Sequence, residues 1–239
     1  MKKLILLTSV LALSAGMAAA QTVRMGTEGA YPPYNFINDK GEVDGFEREL
    51  GDEMCKRADL TCEWVTNDWD SIVPNLMSGN YDAIIAGMSI TEERRQTIDF
   101  SQAYIPPTMS RYLAPTADAN LSGVVAAQTG TIQADYIAQS GATLAEFATM
   151  DDTIAAVKNG EADAVFADLD ALVPFETSAG GELVWAGGEV QLGDGVGMGF
   201  RKSDSELRGK FDAAIIDMKA DGSLNALIQK WFGAEAVIF

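Results

Sequence analysis

Arg94 stands in the segment DAIIAGMSITEERRQTIDFS, Asp82 to Ser101, in a setting where a fixed cation could grip a small acid. The apolar run Ala83 to Ala86 reads as a buried strand. Thr91 followed by Glu92 and Glu93 reads as a helix start, which puts Arg94 in that helix's first turn. A guanidinium presents its donors in a planar fork that matches a carboxylate two to two. The Gly87 and Ser89 region can add backbone N–H and hydroxyl donors beside it. The local alternative is a surface arginine paired with a glutamate of its own helix.

Two further segments carry groups of complementary chemistry. Gln128-Thr129-Gly130-Thr131-Ile132 follows an expected strand, Val124 to Ala127, and precedes an expected helix around Ala134 to Gln139. Backbone N–H groups at such a helix start, with the positive end of its dipole, suit a carboxylate. Asp168 lies just past an expected strand, Ala164 to Ala167, and could serve either as a fixed anion or as the N-cap of a helix over Leu169 to Phe175. The chain has no histidine. With no reactive cysteine and no serine beside a base, it reads as a binding protein and not an enzyme.

The elements that must position these groups alternate between strand and helix. Val23 to Met25 and Thr61 to Val65 read as strands, and Gly45 to Ala58 as a helix with Phe46, Leu50 and Met54 on one face. A further helix begins near Asp70 or Ser71 with Pro74 about in its first turn, and helices over Ser205 to Lys219 and Ser223 to Phe232 close the chain. SIVPNLMSGNYDAIIAG, Ser71 to Gly87, echoes DTIAAVKNGEADAVFAD, Asp152 to Asp168, which suggests two lobes on one α/β plan. In open α/β sheets ligands bind beyond the carboxyl ends of the strands, so two facing sheets would bring Gly87 and Asp168 to one cleft.

Lys2 and Lys3, the mostly apolar stretch Leu4 to Leu13, and Ala18-Ala19-Ala20 before Gln21 read as a secretory signal peptide cut after Ala20. No cysteine follows the cut, so the expected product diffuses freely in a periplasm. Without the two lysines the net charge goes from −18 to −20, a surface that repels nucleic acid and anionic membrane. Hydrophobic residues make up 47% of the chain, enough to build real cores without a membrane-inserted segment.

The motifs GTEGAYPPYNF at Gly26 to Phe36, GFERELGDEMCKRADLTC at Gly45 to Cys62, AGMSIT, and LGDGVGMGFRK at Leu192 to Lys202 occur in one order. In these the chain resembles the extracellular solute-binding proteins of family 3, the amino-acid receptors of bacterial ABC importers, above all the lysine-arginine-ornithine and histidine binding branch. The resemblance implies an α/β fold of two lobes joined by a two-strand hinge. Residues 21–107 and 199–239 would form lobe 1 and residues 108–198 lobe 2, with crossings near Ile105 to Ser110 and Gly193 to Gly199.

It also implies roles for residues. Arg94 would hold the α-carboxylate, with Ser89 and the backbone of Ala86 and Gly87, where relatives have serines. Asp168 would hold the α-ammonium. Gln128, Thr131 and Ile132 would close over the ligand from lobe 2, Ile132 through its backbone alone. Glu28 would face a distal cation between the aromatic walls Tyr31 and Trp69, and Asp68 and Asp70 suggest an exposed rim position for Trp69. Cys55 and Cys62, the only cysteines, would form the disulfide of the resembled branch; a metal site is the competing reading.

The expected ligand is a cationic amino acid, arginine ahead of lysine, ornithine and histidine, with glutamine as the rival. The expected partners are an ABC permease and a chemoreceptor, for a monomer that uses no cofactor. A few proteins resembling this family are periplasmic dehydratases of prephenate-like acids, and that enzyme is the reading from another class.

Overall fold

The computed structural model describes residues 22–239, so the signal-peptide reading of residues 1–20 lies outside the described residues. In chain order the elements are β1 (Val23–Thr27), β2 (Ala30–Tyr31), β3 (Asn35–Ile37), β4 (Val43–Asp44), α1 (Phe46–Arg57), β5 (Cys62–Thr66), a 3-10 turn (Trp69–Ser71) and α2 (Ile72–Met77). Next come β6 (Ala83–Ile84), α3 (Glu92–Thr97), β7 (Asp99–Phe100), β8 (Met109–Ala114), β9 (Val124–Gln128), α4 (Ile132–Ser140), β10 (Thr143–Phe147) and α5 (Met150–Lys158). The chain ends with β11 (Ala164–Asp168), α6 (Leu169–Ser178), β12 (Val184–Gln191), β13 (Gly199–Phe200), α7 (Ser205–Ala220) and α8 (Ser223–Phe232).

Two five-stranded sheets follow one plan. The first has the order β5-β1-β6-β13-β7 and the second β10-β9-β11-β8-β12. In each, three parallel strands lead and two antiparallel pairings follow. The echoed segments occupy equivalent places: α2 with β6 at the centre of one sheet, α5 with β11 at the centre of the other. Gly79 and Gly160 follow these helices at φ 79° and 74°, a left-handed turn that glycine takes without steric cost.

The chain passes between the sheets twice, from β7 to β8 and from β12 to β13. The two crossings run antiparallel and bond to each other, Ile105 N–H to Val196 O at 3.4 Å and Val196 N–H to Ile105 O at 3.1 Å. Gly195 (φ 94°) sits where a Cβ would lie 2.6 Å from the Ile105 carbonyl oxygen, so only glycine lets the strands come this close.

Helix α1 buries Phe46, Leu50 and Met54 completely, the face its sequence periodicity predicts, against β1 and the closing helices α7 and α8. The β6 ladder is shorter than the expected strand, since the chain turns away at Gly87 (φ 61°). Helix α4 begins two residues earlier than expected because Thr131 caps it, accepting from Ala134 N–H at 3.1 Å. Among the described residues no helix is long and apolar enough to cross a membrane.

Cys55 and Cys62 form a disulfide with a Cα separation of 6.2 Å that ties the end of α1 to β5. It closes a short loop, for which chain entropy gives about 2 to 3 kcal/mol. Replacing both cysteines by serine should lower the unfolding free energy by about that amount, read as a reduced urea midpoint with a slope scarcely changed.

Candidate functional site

The carboxyl ends of the parallel strands of both sheets face one small cavity. Glu28 follows β1, Trp69 lies in the turn after β5, and Ala86, Gly87 and Ser89 follow β6. Gln128 ends β9, Thr131 and Ile132 open α4, and Asp168 ends β11. Tyr31 and Arg94 complete the expected set, and all eleven residues line this one cavity. Gln133 lines it as well and was not among them.

Arg94 is the third residue of α3, whose N-cap Thr91 accepts from its backbone N–H at 3.1 Å. Its Nη1 donates to Ser89 O at 2.9 Å and its Nη2 across the cavity to Gly130 O at 3.3 Å. The guanidinium carbon lies 5.4 Å from the centre of the Trp69 ring. Among the described residues Arg94 makes no ion pair, so pairing with a glutamate of its own helix is not what this side chain does. Burial pulls its pKa down from the usual arginine value, and the negative charge of Asp168 partly offsets this.

Asp168 occupies the N-cap position of α6, yet its side chain makes no capping bond. Its Oδ2 instead accepts from Tyr31 Oη at 2.7 Å and its Oδ1 from Gln133 Nε2 at 2.7 Å. Burial pushes its pKa up, while the Tyr31 hydroxyl, the Arg94 charge and Gln133 favour the ionised form. At the other end of the cavity Gln128 Nε2 donates to Glu28 Oε1 at 2.6 Å and to Ala148 O at 3.0 Å. Burial pushes the Glu28 carboxyl up to about 7, against the Gln128 hydrogen bond, and the charges of Asp68 and Glu47 act in the same direction as burial.

Two expectations need correction. Trp69 is not on an exposed rim: it is 9% exposed and packs with Ile72, Leu76 and Met88, because the 3-10 turn sends Asp68 and Asp70 to solvent and the indole inward. The Gly87 N–H is not a free donor, since it bonds to Glu47 Oε1 at 2.6 Å. The Thr131 hydroxyl, for which the sequence carried no expectation, caps α4 and donates to Gln128 O at 2.7 Å. Gln133 could have been found once Thr131 is taken as a cap, since it is then in the first turn of α4.

A half-buried cation without a carboxylate partner among the described residues, lining one small cavity with a half-buried carboxylate, can grip the two charged ends of a zwitterion. The sequence matches the model of the bacterial extracellular solute-binding proteins, family 3, over residues 23–234. The chain belongs to this family. It is 34% identical to the lysine/arginine/ornithine-binding periplasmic protein of Escherichia coli K12, over 97% of each chain. A crystal structure of a periplasmic His/Glu/Gln/Arg/opine family-binding protein from Silicibacter pomeroyi in complex with lysine is 73% identical, covering 91% of this chain and all of that one, with a TM-score of 0.90. An ancestral arginine-binding protein bound to glutamine is 29% identical over 89% of this chain and 98% of its own, with a TM-score of 0.81.

Glu28, Asp168 and Asp170 (up to about 6, through burial and then the Asp168 charge) all titrate higher in the folded protein than in the unfolded chain. Through these groups the folded state holds more protons than the unfolded chain between about pH 4 and 7, so their contribution to stability falls as pH rises through that window. Thermal denaturation without ligand should show this decline. Glu28→Gln should melt higher than wild type at pH 8, with the gap closing toward pH 5; an identical gap at both would remove Glu28 as its source.

Proposed function

We propose that this protein is a periplasmic receptor for a free cationic amino acid, arginine ahead of lysine, ornithine and histidine, which it delivers to an ABC permease. The observation that carries this reading is the placement of Arg94, unpaired with any carboxylate among the described residues, opposite Asp168, with Glu28 in the same cavity. The ligand α-carboxylate pairs with Arg94 and the N–H groups that open α4. The α-ammonium meets Asp168, whose two oxygens keep accepting capacity beside Tyr31 and Gln133. The side chain runs between Tyr31 and Trp69 to Glu28, where a flat guanidinium gains cation–π attraction of about 1 to 2 kcal/mol. The lysine and arginine ligands of the relatives support this choice.

The site residues would divide between lobe 1, residues 21–107 and 199–239, and lobe 2, residues 108–198. The ligand then bridges the lobes, and differential contacts in the compact form shift the population toward it. The monomer, released by cleavage after Ala20, would present that form to the permease and to a chemoreceptor. Glutamine is the second reading, favoured by the Glu28–Gln128 hydrogen bond and by the ancestral relative bound to glutamine. A dehydratase reading is weaker, because Glu28 would oppose the second carboxylate of a prephenate-like substrate.

Calorimetry with single amino acids tests the assignment. Arg94→Ala and Asp168→Ala should each remain folded and lose binding, since each strands a charged ligand group at a cost of roughly 2 to 5 kcal/mol. Glu28→Gln should weaken arginine sharply and glutamine much less. Tight binding of glutamine or an acidic amino acid, with no response to arginine, lysine or ornithine, would overturn the cationic assignment.

Small-angle scattering tests the mechanism separately. The radius of gyration should fall when arginine is added to protein freed of ligand, and no change from a form independently verified as open contradicts closure.

A further inference from the structure

Glu47 is completely buried in the first turn of α1 and does not line the cavity, yet its carboxylate is bonded to three separate segments, of which Gly87 lines the cavity and Asn35 and Tyr104 lie behind it. Its Oε2 accepts from Asn35 Nδ2 at 2.7 Å, and Asn35 Oδ1 in turn accepts from Gly29 N–H at 2.7 Å, which fixes the turn immediately after Glu28. Its Oε1 accepts from Gly87 N–H at 2.6 Å. Gly87 lies against the Tyr31 ring so closely that an added Cβ would come within 3.3 Å of it. The same Oε1 accepts from the Tyr104 hydroxyl, and Tyr104 N–H bonds to Val196 O at the crossing between the sheets.

Burial pushes the Glu47 pKa up, and the donors of Tyr104, Gly87 and Asn35 oppose this by favouring the ionised form. A buried charge is costly unless fully hydrogen-bonded, and an apolar side chain could fill the same space without that cost. What an apolar residue could not do is hold the Glu28 turn, the backbone under Tyr31 and the crossing strand from one point. It also could not add negative potential behind Glu28, whose carboxyl feels the Glu47 charge.

We propose that Glu47 is a positioning residue that makes the site selective for a cationic side chain, by fixing Glu28 and the Tyr31 wall and by placing a second negative charge behind them. This rests on the receptor reading given above. A merely structural role would weaken all ligands alike, whereas this role weakens a cation more than its neutral isostere and acts through Glu28.

The test is calorimetry with arginine and citrulline near pH 8, where Glu28 is ionised, on wild type, Glu47→Gln, Glu28→Gln and the double variant. Glu47→Gln should weaken arginine about tenfold or more and citrulline by no more than about threefold. In the Glu28→Gln background the arginine loss caused by Glu47→Gln should shrink to within about threefold. Equal losses for both ligands, an undiminished loss in the double variant, or no loss at all overturns the proposal. Should Glu47→Gln fail to fold, Asn35→Ser cuts only the link to the Glu28 turn. It should give the same selective loss, and an equal loss for both ligands overturns the proposal there too. Wild type that ignores both arginine and lysine overturns the cationic assignment and this inference with it, while wild-type binding without a selective loss overturns the inference alone.

Discussion

The guanidinium of Arg94 is the charge around which the cavity is organised. It is held by two carbonyl oxygens, Ser89 O and Gly130 O, and by the face of Trp69, and among the described residues by no carboxylate. Carbonyl dipoles and a ring quadrupole orient a cation without neutralising it. A site built in this way is satisfied only by an anion from outside the chain, and the rest of the cavity has to accept the remainder of whatever molecule carries that anion. Asp168 follows the same logic in reverse: two donors, Tyr31 and Gln133, fix its direction while leaving its charge.

Glu28 and Gln128 differ from that pattern, because here two side chains from opposite sides of the cavity satisfy one another at 2.6 Å. An amide is a donor that a cationic ligand group can replace and an amide ligand group can imitate. In the proposed reading the two charged ends of the ligand meet groups already fixed by hydrogen bonds. The variable end would meet a pair that must rearrange, a place where ligand choice could change without disturbing the clamp.

Much of this was legible in the chain because it is local. The apolar face of α1, the Thr91 cap that sets Arg94, and the repeated helix-glycine-strand unit ending at Gly87 and Asp168 are all written in residues a few positions apart. The motif resemblance then named eleven residues that line one cavity. What stayed illegible is long-range. Local sequence alone left Asp168 open between a fixed anion and a cap of its own helix, and only its partners from other segments, 137 and 35 positions away, decide against the cap. Gly87 N–H is committed to a carboxylate 40 positions earlier, and nothing near Gly87 announces Glu47. Trp69 was misplaced because its neighbours are charged, a poor guide in a turn, where adjacent side chains point to opposite sides.

The mutual hydrogen bonds of Ile105 and Val196 have a mechanical consequence. Two separate strings between bodies permit twist, slide and bend alike. Two strings laced into a ribbon, with Gly195 allowing the close approach, bend easily across their flat face and resist torsion. Any motion between the two sheets would thereby be reduced to one soft coordinate, as for a door on its pins. Groups carried on opposite sides, such as Arg94 and Gly130, would return to the same alignment on every swing, their registry kept by the axis and not rediscovered at each encounter.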